Sequence, residues 1–92
     1  MLIVKKFGGT SVGDKERIFN VARRCAEDFK KGNDVIVVLS AMGKTTDELI
    51  AKAKDINPDP PKRELDMLLT TGEQVSVALM AMAFDTMDIP AV

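Results

Sequence analysis

Lys6-Phe7-Gly8-Gly9-Thr10-Ser11 sets a lysine, two glycines and two hydroxyls between the apolar run Leu2-Ile3-Val4 and a helical pattern beginning near Asp14. These residue types hold phosphate. Glycines let the backbone turn tightly and approach a ligand. Turn N–H groups and the next helix N-terminus point at negative charge, and a lysine adds a mobile point charge. The same residues also make an ordinary strand-to-helix turn with a surface lysine. A second group is Ser40-Ala41-Met42-Gly43-Lys44-Thr45-Thr46-Asp47-Glu48. Gly43-Lys44-Thr45 looks like the end of a phosphate loop, but the glycine required five positions earlier is Val38, inside an apolar run. Thr45 followed by Glu48 reads better as a capping box opening a helix. The functional alternative is that Ser40 and Thr46 hold a small polar substrate at the carboxyl end of a strand, where open α/β sheets bind ligands. The third group is Thr70-Thr71-Gly72-Glu73. It interrupts a helical pattern and sets Glu73 at a fresh helix N-terminus, where the dipole favours a carboxylate; spacing alone favours reading Glu73 as an ordinary first-turn residue.

The elements that must position these groups follow from periodicity. Residues 2–7 read as a short buried strand. Residues 14–31 read as a helix: Ile18, Val21, Ala22, Cys25 and Phe29 share one face, Asp14 and Glu16 suit its first turn, Lys30 and Lys31 its last, and Gly32 ends it. Residues 35–39 are a continuous apolar run, the pattern of a central parallel strand buried on both faces. Strand, helix and strand form a βαβ unit. A helix is expected from Thr45 to about Lys54, then a loop stiffened by Pro58, Pro60 and Pro61. Residues 62–69 read as a helix with Leu65, Leu68 and Leu69 inward, and 73–87 as a separate helix with Met80, Met82 and Met87 as core filler. Ile89-Pro90-Ala91-Val92 reads as the opening of a third strand. Two strands and a stub leave sheet edges that proteins normally cover, so the chain is expected to be a fragment.

The chain has 92 residues, 46% hydrophobic and 29% charged, with net charge −1. That is a globular composition. With no basic bias and neither Trp nor Tyr, nucleic acid is not an expected partner. Cys25 is the only cysteine, which excludes an intrachain disulfide and suits a reducing compartment. Its apolar neighbours mark it as a buried, inert thiol. Lys5 and Lys6 interrupt the first apolar run, so no signal peptide is expected. No uninterrupted apolar run approaches the roughly 20 residues that span a membrane, so a membrane is not an expected partner.

Taken together, Lys6-Phe7-Gly8-Gly9-Thr10-Ser11-Val12, the stretch from Val37 through Ser40 and Thr46 to Leu49, and Leu68-Leu69-Thr70-Thr71-Gly72-Glu73-Gln74 resemble the N-terminal part of the aspartokinases, members of the amino acid kinase family. The resemblance covers essentially the whole chain, in order. It implies an α/β fold, the N-terminal part of a carbamate kinase-like three-layer α/β/α sandwich with a mainly parallel sheet. It implies transfer of the ATP γ-phosphoryl group to the side-chain carboxylate of L-aspartate, the first step towards lysine, methionine and threonine, in the cytoplasm and by a homo-oligomer. Carried over by position, Lys6 would be catalytic, Lys6, Phe7, Gly8 and Gly9 would contact ATP, and Ser40, Thr46 and Glu73 would contact aspartate. Mg²⁺ would arrive on the nucleotide, with no metal ligand expected in the chain. Residues 1–92 would then be the N-terminal portion of the catalytic domain, ending as a third strand begins and carrying no regulatory domain. Other amino acid kinase relatives, such as carbamate, acetylglutamate or uridylate kinases, and a non-catalytic interaction domain remain the alternatives.

Overall fold

A computed structural model of the chain describes residues 1–91. Its elements run β1 (Leu2–Phe7), a 3₁₀ turn (Gly9–Val12), α1 (Lys15–Lys30), β2 (Asp34–Leu39), α2 (Thr45–Ile56) and α3 (Lys62–Thr86). β1 and β2 pair in parallel from Leu2 opposite Asp34 to Phe7 opposite Leu39, joined through α1. Parallel pairing brings the carboxyl ends of both strands, and the turns that follow them, to the same edge.

α1 starts where the sequence says it must. Asp14 is its N-cap, its carboxylate accepting from the Arg17 N–H at 2.8 Å, and Gly32 ends it at φ 92°, a conformation that glycine adopts without strain. Ile18, Val21, Ala22 and Cys25 are buried as the face pattern requires, but Phe29 is exposed. The core gathers these residues with Val12, Leu39, Met80, Ala83 and Phe84; Phe7, Val35, Val37, Met42, Met87 and Ile89 pack against it. Of the methionines expected as core filler, Met82 is exposed.

Several expectations are corrected. β2 is covered on one face only. Val35 and Val37 turn inward while Ile36 and Val38 are 49% and 44% exposed, because no helix covers the opposite side among the described residues. The break expected at residues 70–73 is absent, and α3 runs unbroken through it. The Thr70 and Thr71 hydroxyls donate back to the carbonyls of Met67 and Leu68, both at 2.7 Å, a side-chain bond made within a continuing helix. Gly72 is buried inside α3 and packs against α2 and the loop before it. Thr45 and Glu48 form no capping box: Lys44 occupies the N-cap position and no side chain caps α2. Ile89, Pro90 and Ala91 form no strand; Val92, the last residue of the expected strand, lies outside the described residues.

With its 25 residues, α3 is long and apolar enough to cross a membrane by length and composition. In this fold one face of it, Gly72, Ser76, Met80, Ala83 and Phe84, is buried against protein. The Ser76 hydroxyl is enclosed there without a hydrogen-bond partner.

Candidate functional site

The carboxyl ends of β1 and β2 open into two turns that are laced together. The Ser40 N–H donates to the Phe7 carbonyl at 3.2 Å, and the Gly43 N–H to the Gly9 carbonyl at 3.1 Å. The first turn is closed by the Ser11 N–H donating to the Gly8 carbonyl at 3.1 Å. It is tied to α1 by the Arg17 guanidinium, which donates to the Thr10 carbonyl at 2.8 Å.

Lys6 is exposed on the open face of the sheet, opposite Val38. Phe7 alternates inward and packs on the core, so only its backbone reaches the sheet edge. Gly8 is exposed, and a Cβ there would meet nothing within 4 Å, so no neighbour in the chain requires glycine at that place. Gly9 is different: a Cβ there would lie 2.6 Å from the Ala41 carbonyl oxygen, closer than atoms pack. At the N-terminus of α1 the Asp14 carboxylate accepts from the Arg17 N–H, so one of the helix's end N–H groups is already partnered within the chain.

Ser40 follows β2 directly and is half-buried. Thr46 lies in the first turn of α2 and is half-buried as well. Glu73 is exposed in the middle of α3, not at a helix start. The helix dipole therefore gives it no special stabilisation, since that effect falls off within the end turns. It lines an open groove of about 460 Å³ with Val37, Val38, Leu39, Thr70 and Gln74. The contact missed in the sequence lies between α3 at Gly72 and the segment that joins β2 to α2. A Cβ on Gly72 would stand 3.0 Å from Ala41 Cβ and 3.2 Å from Thr45 Cγ2. Ser40, Thr46 and Glu73 are the chain neighbours of Ala41, Thr45 and Gly72 respectively. The glycine in Thr-Thr-Gly-Glu was the available signal, legible as either a helix break or a close approach.

Two groups behind the site have shifted proton affinities. Lys5 is raised above the ordinary 10.5, chiefly by its hydrogen bond to the Asp28 carboxylate, with which it forms an ion pair tying β1 to α1. Burial pushes the Cys25 thiol above the ordinary 9.0. A free, buried cysteine with its thiolate disfavoured is not a nucleophile.

The sequence model of the Amino acid kinase family matches residues 1–92. The chain is 69% identical over 84 residues to an aspartokinase of Bacillus sp. (strain MGA3), covering 91% of this chain and 20% of that protein. It is 64% identical over 90 residues to an aspartokinase of Thermus thermophilus, covering 98% of this chain and 22% of that protein. Among solved structures, the aspartate kinase from Synechocystis superposes with a TM-score of 0.97 at 55% identity, over 100% of this chain and 16% of that one. The chain thus spans about a fifth of the length of the curated relatives it matches. The strand–turn–helix geometry at the sheet edge and the match over residues 1–92 lead to one assignment: this chain belongs to the amino acid kinase family.

Proposed function

We propose that the full-length protein containing this chain is an aspartate kinase and that these residues are the N-terminal portion of its catalytic domain. The observation that carries the reading is the convergence of three segments, the turn after β1, the loop after β2 and α3 around Glu73, in a fold that superposes on an aspartate kinase at a TM-score of 0.97. The reaction joins an aspartate β-carboxylate oxygen to the γ-phosphorus of ATP and breaks the bond to the β,γ-bridging oxygen. The products are 4-phospho-L-aspartate and ADP. The carboxylate is already ionised at neutral pH, so no general base is required. The obstacle is repulsion between two anions, and catalysis is positioning plus charge neutralisation.

Lys6, exposed at the edge of the sheet, neutralises charge on the transferring phosphoryl group. Gly8 and Gly9 let the turn's backbone approach the phosphates, and the Phe7 backbone supports that turn. Ser40 and Thr46 hold the aspartate by hydrogen bonds, and Glu73 pairs with its ammonium group. Mg²⁺ arrives on the nucleotide oxygens, and no ligand to it is assigned in this chain. When bound there it supplies additional charge neutralisation. In this reading the enzyme is a cytoplasmic homo-oligomer that opens the route to lysine, methionine and threonine.

The test is an assay of the full-length protein with ATP and hydroxylamine, which traps an acyl phosphate as a hydroxamate. Hydroxamate formation with L-aspartate and not with glutamate or acetylglutamate, and no ADP release with carbamate or uridylate, is the expected result. Preference for another acceptor would place the protein elsewhere in its family.

A further inference from the structure

Ala41 is 5% exposed and is gripped from two sides by glycines of different elements. On one side, a Cβ at Gly9 would lie 2.6 Å from the Ala41 carbonyl oxygen and 3.4 Å from the Gly43 N and O. On the other, a Cβ at Gly72 would lie 3.0 Å from Ala41 Cβ, 3.2 Å from Thr45 Cγ2 and 3.6 Å from Leu49 Cδ1. Neither glycine has a positive φ, which only Gly32 and Gly43 adopt among the described glycines. The backbone conformation therefore does not demand glycine at either place; packing leaves no room for a Cβ at Gly9 and leaves one at Gly72 in tighter than ordinary contact. Glycine inside a helix is disfavoured relative to alanine, so a glycine in the middle of α3 comes at a loss of intrinsic helix stability.

We propose that Gly9, Ala41 and Gly72 form a spacer that sets how far the phosphate turn and the Glu73 helix stand from the loop between β2 and α2, making Gly9 and Gly72 positioning residues for phosphoryl transfer. The inference rests on the aspartate kinase reading above. The two contacts differ in kind. Gly72 meets side-chain atoms, so a methyl group there pushes α3 away and carries Glu73 from Ser40 and Thr46, while β1 with Lys6 and Gly8 stays in register with β2. Gly9 meets a backbone oxygen, so a methyl group there displaces the phosphate turn instead. A shift of a few tenths of an ångström to 1 Å in a packed site is enough to impair a reaction that depends on alignment.

The test is a set of variants of the full-length protein: Gly72→Ala and Gly9→Ala, each alone and with Ala41→Gly, and Gly72→Ala with Thr45→Ser. Each pair is compared with its relieving substitution alone, by steady-state kinetics in both substrates and by melting temperature. Gly72→Ala should lower kcat/KM for aspartate about 10²-fold with KM for ATP within about twofold of its starting value, and either relieving substitution should recover about tenfold. Gly9→Ala should act on KM for ATP and should not be recovered by Ala41→Gly. A Gly72→Ala variant that fails to fold alone but folds and regains activity in the pairs supports the spacer. Aspartate kinetics untouched by Gly72→Ala, or a loss that neither partner relieves in folded protein, overturns it. A wild-type protein inactive on aspartate overturns the site reading instead. The spacer is then judged by melting temperatures alone, where additive effects at positions 72 and 41 would sink it.

Discussion

Lys6 and Glu73, the two charged residues proposed for the site, come from different elements, one from the open face of β1 and one from the middle of α3. Their predicted effects separate cleanly. Lys6 is exposed, so its loss should barely touch stability. In the full-length enzyme Lys6→Ala should lower turnover by about 10² to 10³, the scale of one preorganised charge donor aimed at developing charge. Turnover near wild type would remove Lys6 from the mechanism. Glu73→Gln keeps the shape and removes the charge. KM for aspartate should rise while KM for ATP stays put, the signature of a lost contact to one substrate. An effect confined to ATP would move Glu73 to the nucleotide side. The residue types stand out in the sequence, but lysine, glycines and hydroxyls at a strand end make an ordinary turn as readily as a phosphate cradle, so the three motifs had to be taken together. The basis for Glu73 was not legible there: its carboxylate meets the groove without a helix N-terminus beneath it.

The elements were legible wherever a local device settles them. α1 has an aspartate cap, a buried face of five apolar residues and a glycine in the left-handed region after it, and each leaves a mark in the sequence. α3 was misread because Thr70, Thr71 and Gly72 are poor helix formers on intrinsic propensity. The helix accommodates them in two ways: the threonine hydroxyls donate to carbonyls of the preceding turn, and Gly72 admits Ala41 and Thr45 across a tertiary contact. One-sided burial of β2 was illegible because a continuous apolar run says how much is to be covered, not what is present to cover it. The seam between β1 and α1 yields a pH prediction. Lys5 and Cys25 both hold their protons more tightly in the folded state than in the unfolded one. The stability they confer is complete below the unfolded values of 10.5 and 9.0 and is lost as pH rises through the higher folded values. The denaturation midpoint should therefore be flat across neutral pH and fall in the alkaline range, with Cys25→Ala removing the earlier part of the fall. A midpoint that rises with alkalinity would contradict the buried thiol.

At the scale of the whole molecule, the surface is too large for the mass. The accessible area is 6616 Å², against about 5,200 Å² for a compact monomer of this size. The radius of gyration is 15.3 Å, against roughly 12 Å for a compact domain of this length. The excess is apolar and localised. Leu2, Val4, Ile36 and Val38 form an exposed sheet face, and Val75, Val77, Leu79 and Met82 leave α3 apolar on its outer side too. The part of α3 from Val75 to Phe84 is apolar on most sides, as in a helix enclosed by a larger body, and parallel strands are normally covered on both faces. An apolar groove of about 400 Å³ also runs beside β2, lined by Met80, Phe84, Ile89 and Pro90. With the chain spanning about a fifth of its relatives, we expect the remaining length of the full protein to cover these surfaces. Produced alone, the 92-residue chain should self-associate or melt at low temperature, since unpaired strand edges and open apolar patches recruit other chains. It should also yield no hydroxamate from aspartate, because Lys6, Ser40, Thr46 and Glu73 offer no cover for the adenine end of a nucleotide. Light scattering and a thermal melt decide the first point and the hydroxylamine assay the second. A monodisperse monomer with a high melting temperature would mean that β1, α1, β2 and α3 close into a self-sufficient core without further layers.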